Sequence, residues 1–131
     1  MTTGSHSALR IDTHLAVWLY AGEVERLTDD AVGLLEAHTI VASPMVRLEL
    51  GYLHEIGRLT VPGADIVNDL RSRVGLEESR ISQGDAVDCA MSISWTWDPF
   101  DRLIVGDALA AGATLLTADA TILDNVDSAV W

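Results

Sequence analysis

Residues 98–119 read DPFDRLIVGDALAAGATLLTAD. Asp98-Pro99 opens a predicted helix that runs through Ala111 and is stopped by Gly112. Ala113 to Thr117 follows as a short, apolar, β-like run, so it is expected to be a buried strand. Asp119 comes directly after it. A helix that feeds a buried strand, with an acid at the strand's end, is half of an α/β unit.

The rest of the chain repeats the pattern. Leu9-Arg10-Ile11 is a candidate strand ending at Asp12. Leu15, Ala16, Leu19 and Tyr20 then recur at helical spacing, and Gly22 ends that run. Thr28 caps a second predicted helix, with Asp29 and Asp30 in its first turn. Thr39 to Ala42 reads as a strand, and Ser43-Pro44 supplies a cap and a first-position proline for a long helix ending before Gly57. Further helices are expected from about Pro62 to Val74, from about Gln83 to Trp95, and from about Ala120 to Asp124. Ala129-Val130-Trp131 is expected to close the sheet. Short apolar strands alternating with helices predict an α/β fold with a mostly parallel sheet.

Composition narrows the chemistry. The chain has 131 residues and a formal net charge of −12. Its eight basic residues are all arginine, at 10, 26, 47, 58, 71, 73, 80 and 102. With no lysine, a P-loop, a protein-kinase phosphate site and a Schiff-base mechanism are excluded in their usual forms. The single cysteine, Cys89, excludes an intrachain disulfide and a cysteine-rich zinc site. No apolar run approaches the ~18 residues of a membrane span. Met1 to Arg10 lacks the apolar core of a signal peptide. Acidity argues against broad, non-specific nucleic-acid binding, which relies on cationic surface. It does not argue against an enzyme that gathers carboxylates around metal ions.

Asp12 and Asp119 stand at the ends of predicted strands, where open α/β sheets place their ligand sites. Asp98 and Asp101, three apart at a helix start, share a face. Glu49 lies in a mostly apolar helix, so it is expected on a polar stripe or against something positive. Each aspartate also suits a helix start as a cap or as a first-turn acid. Caps explain the residue type but not why two acids end buried strands. A cluster of hard oxygen ligands does, and it suits Mg²⁺ or Mn²⁺ over zinc.

Ile11-Asp12-Thr13-His14, Ser43-Pro44 with Glu49-Leu50-Gly51, Asp98-Pro99-Phe100-Asp101-Arg102-Leu103-Ile104 and Leu115-Leu116-Thr117-Ala118-Asp119 resemble, in order, the PIN-domain nucleases. The nearest likeness is to VapC-type toxins of bacterial toxin–antitoxin pairs. The resemblance implies one PIN-like domain over residues 1–131, with a parallel sheet between helices and residues 1–8 flexible. It places a catalytic, metal-binding quartet on Asp12, Glu49, Asp101 and Asp119. Asp98 and Thr117 take supporting positions. It implies cytoplasmic cleavage of a structured RNA, tRNA or rRNA, with Mg²⁺ or Mn²⁺. A cognate antitoxin that blocks the site and a homodimer are also implied, and no membrane association.

Other residues carry expectations of their own. Related toxins often have a basic or small residue before the Asp-Pro pair, where this chain has Trp97. Packing or a protein interface is favoured for Trp97 over a platform for an RNA base, and phosphate contact is left mainly to Arg102. Trp18, Leu19, Tyr20 and Leu53 are expected to include a partner surface. His14 is read as helix-start packing before an outer role near Asp12, Cys89 as a small core residue, and Asp107 and Asp124 as solvated helix residues or caps. Two rival readings stand beside the nuclease. A phosphohydrolase of another α/β class is disfavoured by the absent lysine. A non-catalytic PIN-like binding module is disfavoured by the intact quartet.

Overall fold

The computed structural model describes residues 8–131. The expectation of a flexible start lies outside the described residues for positions 1–7, while Ala8, also included in it, is buried.

Among the described residues five strands form one sheet: β1 (Leu9–Ile11), β2 (Ile40–Ala42), β3 (Glu77–Glu78), β4 (Thr114–Leu116) and β5 (Ala129–Val130). Their spatial order is β3-β2-β1-β4-β5, and every pairing is parallel. Leu9, Arg10 and Ile11 register with Ile40, Val41 and Ala42 on one side and with Thr114, Leu115 and Leu116 on the other. Among the described residues seven α-helices flank the sheet: α1 (Thr13–Ala21), α2 (Asp29–Ala37), α3 (Pro44–Glu55), α4 (Gly63–Val74), α5 (Gln83–Ala90), α6 (Pro99–Ala111) and α7 (Ala120–Asn125). A 3₁₀ turn at Val24–Arg26 joins α1 to α2.

Helices cover both faces of the sheet, so β1 and β2 are buried along their whole length. Leu9, Ile11, Leu115 and Leu116 are essentially inaccessible and pack with Leu15, Leu50, Ile66 and Leu70 from the helices. Between α6 and β4, Gly112 has φ 61° and donates its N–H to the ends of α6, a left-handed turn that glycine adopts at little cost. Gly106 is needed for a different reason. A β-carbon there would lie 2.4 Å from the Ala86 carbonyl oxygen, so α5 and α6 approach backbone to backbone.

One helix end and one strand differ from the sequence reading. The helix expected to reach Trp95 ends at Ala90, and the Ser92 hydroxyl donates to the Cys89 carbonyl at 3.0 Å, a side-chain bond that competes with helix continuation. β3 has no counterpart in the expectations. It is two glutamates on the sheet edge, where hydrophobic alternation gives no signal and charge protects against edge pairing.

Asp107 also departs from its expected solvated position. It is 1% exposed and faces Arg10, 5% exposed, with Nε to Oδ1 at 3.4 Å. Arg10 alternates with the core-facing Leu9 and Ile11 on β1, so its side chain passes to the sheet's other face. There it also reaches the Ser79 hydroxyl at 3.3 Å. It borders a groove of about 520 Å³, also lined by Val41, Ser79, Arg80 and Ala111, that includes none of the acids of the candidate site.

Candidate functional site

The chain winds from β1 outward to β2 and β3, then returns to place β4 and β5 on β1's other side. The β1/β4 boundary is therefore the topological switch point, and the crevice beyond the strands' carboxyl ends is the expected ligand position. Asp12 follows β1 directly, and Thr117 and Asp119 follow β4.

Hydrogen bonds tie these ends together. Asp12 caps α1, its Oδ1 accepting from the Leu15 N–H at 3.0 Å. Its other oxygen accepts from the Thr117 hydroxyl at 2.5 Å, across the β1/β4 boundary. Thr117 Oγ1 in turn accepts from the Asp119 N–H at 3.0 Å. Asp119 caps α7, with Oδ1 accepting from the Thr121 and Ile122 N–H groups at 2.9 and 3.1 Å. Asp98 caps α6, with Oδ1 accepting from Phe100 and Asp101 N–H at 2.8 and 3.4 Å. The capping and ligand readings of these aspartates are compatible. The caps of Asp98 and Asp119 occupy only one oxygen each.

Glu49 is half-buried on α3, and its Oε1 accepts from the Thr13 hydroxyl at 2.5 Å. It was expected on a polar stripe or against a cation, and it has a neutral hydroxyl instead. Thr13 went unassigned in the sequence because its role depends on α1 and α3 meeting. Its place beside Asp12 in the Asp-Thr-His triplet was the available signal. Asp101 is half-buried on α6, and among the described residues no donor reaches its carboxylate.

The five acids repel one another. Burial pushes the Asp101 carboxyl up to about 7, and the charges of Asp98, Glu49, Asp119 and Asp12 push the same way. Burial raises Asp12 as well, partly offset by its bonds to Thr117 and Leu15 and by His14. Glu49 is raised by burial, with the Thr13 bond acting against it and the Asp98 charge adding to it. Among the described residues no arginine forms an ion pair with any of the five. Nor, among the described residues, do three or more acidic, histidine or cysteine side chains stand close enough together to hold a metal ion as they are placed. The donor chemistry still fits a divalent cation. Every available ligand is a carboxylate oxygen, and the half-buried Asp101 lacks both donor and counter-charge.

The remaining candidates sort as follows. Arg102 Nε donates to the Thr96 carbonyl at 2.7 Å, which holds the arginine beside the Asp98 turn. His14 is exposed rather than packed, its ring 6.4 Å from that of Trp18. Trp18, Leu19 and Tyr20 are partly buried against the core, and Trp18 lies 5.9 Å from the Trp131 ring with the Arg26 guanidinium over its face. Cys89 is only partly buried, and Asp124 is exposed as expected. Trp97 is 90% exposed, which removes core packing from its possible roles.

No protein-family model matches the sequence, and no curated protein matches it. Solved structures do. VapBC2 from Rickettsia felis, bound to a DNA fragment from its promoter, matches with a TM-score of 0.65 at 17% identity, over 94% of this chain and 96% of that one. A toxin–antitoxin complex from Klebsiella pneumoniae matches with a TM-score of 0.64 at 16% identity, over the same shares. The fold is PIN-like. Asp12 and Asp119 follow the carboxyl ends of β1 and β4, while Glu49 lies on α3 and Asp101 on α6. Among the described residues no helix is long and apolar enough to cross a membrane.

Proposed function

We propose that the chain is a Mg²⁺- or Mn²⁺-dependent endoribonuclease of a toxin–antitoxin pair, acting in the cytoplasm. The observation that carries the reading is the mutual repulsion of Asp12, Glu49, Asp101 and Asp119 at the switch point, with no paired cation. That arrangement is costly for a chain with no use for it.

Asp12 and Asp101 are the central ligands in this reading, and Glu49 and Asp119 hold a second ion or its waters. A bound divalent ion supplies an activated water near neutral pH and offsets the charge that develops on the phosphate. The chain's own residues do the positioning. Thr117 and the Leu15 N–H fix both oxygens of Asp12, so that carboxylate is oriented before any ligand arrives. Thr13 does the same for Glu49. Asp98 holds the first turn of α6, which carries Asp101 toward the crevice. Arg102, anchored at Nε, keeps its terminal nitrogens for a phosphate of the RNA.

The partner is an antitoxin, a reading supported by the neighbours' being toxin–antitoxin assemblies. A chain of −12 favours an arginine-rich antitoxin segment through charge complementarity. A homodimer is the accompanying expectation. The test is to sequence RNA ends after brief induction of the parent and of Asp101→Asn. New ends at defined positions in tRNA or rRNA with the parent alone support the reading. Identical end profiles for the two proteins contradict it.

A further inference from the structure

Trp97 immediately precedes Asp98, which caps α6 and whose Oδ1 accepts from the Asp101 N–H at 3.4 Å. Its loop is pinned on either side. Trp95 is half-buried against the core. The Thr96 carbonyl accepts from Arg102 Nε at 2.7 Å, and the Thr96 hydroxyl oxygen accepts from the Asp98 N–H at 3.2 Å. A fixed backbone thus holds an indole 90% exposed at the edge of the acidic site. Trp is a large apolar side chain, and leaving it in water serves no purpose in folding.

Electrostatics makes an uncharged contact valuable at this edge. Arg10, Arg26, Arg47 and Arg73 are ion-paired with acids, and Arg102 is partly committed to Thr96. Five carboxylates meanwhile surround the crevice. At this edge phosphate contact, the usual source of affinity for nucleic acid, rests on the terminal nitrogens of Arg102. Stacking on an aromatic face needs no charge and accepts any base, provided the base is unpaired. A protein hot spot, by contrast, belongs at the centre of a well-packed apolar patch. Trp97 is flanked by Ser94, Thr96, Asp98 and Pro99, all but Thr96 exposed.

Resting on the nuclease reading above, we infer that Trp97 is the stacking platform for an unpaired base of the RNA held at the acidic site. It acts as a positioning residue and selects for single-stranded RNA next to the cut.

The test uses three RNA probes of 12 nucleotides: a single strand of mixed sequence, the same strand with abasic sites, and the blunt duplex. Binding is measured in the Asp101→Asn background, with and without Trp97→Ala or Trp97→Phe, and cleavage of the single strand in the parent background. Trp97→Ala weakens single-strand binding roughly 5- to 150-fold, the range one stacked base supplies. Trp97→Phe recovers most of it. The abasic strand binds the Trp97-containing protein as poorly as the intact strand binds Trp97→Ala. The cleavage defect appears mainly in KM. Equal binding of intact and abasic strands, with cleavage retained, overturns the stacking role alone. If Trp97→Ala leaves RNA binding intact but splits a dimer in light scattering, Trp97 is a protein contact and the inference fails. If the parent cuts tRNA or rRNA but binds none of the probes, this inference fails and the nuclease reading stands; if it cuts no RNA at all, the nuclease reading falls and takes this inference with it.

Discussion

Asp101 concentrates the electrostatic conflict of the site, and its titration can be followed without any substrate. Its folded-state pKa of about 7 lies above the ordinary 3.8, so between these values the folded chain binds the proton more tightly than the unfolded one. Stability contributed by the protonated form is complete below about pH 4 and is lost as pH rises through 7. In chelator, the melting temperature of the parent is therefore expected to fall relative to Asp101→Asn between pH 5 and pH 7.5. Adding Mg²⁺ is expected to remove that fall and to release a fraction of a proton per chain near pH 6.5, readable by calorimetry in buffers of different ionisation enthalpy. A parallel pH course for the two proteins would contradict the assignment. Substitution also separates capping from charge at Asp119. Asn keeps the cap acceptor and Ala removes it, so Asp119→Ala is expected to cost about 0.5–2 kcal/mol more stability than Asp119→Asn in chelator melts. Both variants are expected to lose most activity. At this scale the sequence exposed the acids well, because caps and strand ends are local signals. It did not expose the Thr13–Glu49 contact, which depends on two helices meeting, nor the burial of Asp107, which sits in a helix that is otherwise easy to read.

Helix α6 carries Asp101 and Arg102 at one end and Gly106 and Asp107 further along, so its seating sets the site's geometry. Gly106→Val forces a side chain against the backbone of α5 and is expected to destabilise by about 1–3 kcal/mol in denaturant melts, with reduced cleavage. Asp107→Ala leaves Arg10 buried without its partner, an expected loss of about 3–5 kcal/mol. Replacing both, as Arg10→Met with Asp107→Leu, is expected to restore most of that stability. If the double variant is no better than Asp107→Ala alone, the pair is not what holds α6 to β1. Helix starts were legible because Thr28, Ser43 and Asp98 cap as local chemistry dictates. The end of α5 was not, because a serine bond and the turn toward Trp95 outweigh a run of helix-compatible residues. β3 was equally hidden, since two edge glutamates become a strand only when β2 is present to pair with them.

Over the whole molecule the charge is −12, and among the described residues the ion-paired arginines answer acids outside the site. Arg47 pairs with Glu78 and Arg73 with Asp69, exposed pairs that solvent and salt screen and that contribute little to stability. The absence of lysine leaves arginine as the only side-chain cation for phosphate apart from histidine. The acidic surface predicts that complex formation with an arginine-rich antitoxin segment weakens as salt rises, measured as a falling association rate. The place of Asp12 and Asp119 at strand ends was legible in the sequence, whereas the strand order that makes β1/β4 the switch point and the exposure of Trp97 were not, because both depend on how distant segments pack. The most direct measurement is cleavage of 5′-labelled tRNA by the purified parent and by Asp101→Asn, each titrated with Mg²⁺ from a chelated start. The account predicts discrete fragments that grow with Mg²⁺ for the parent and vanish for Asp101→Asn. Fragments of equal yield from both proteins, or yield from the parent that persists in chelator, would contradict it.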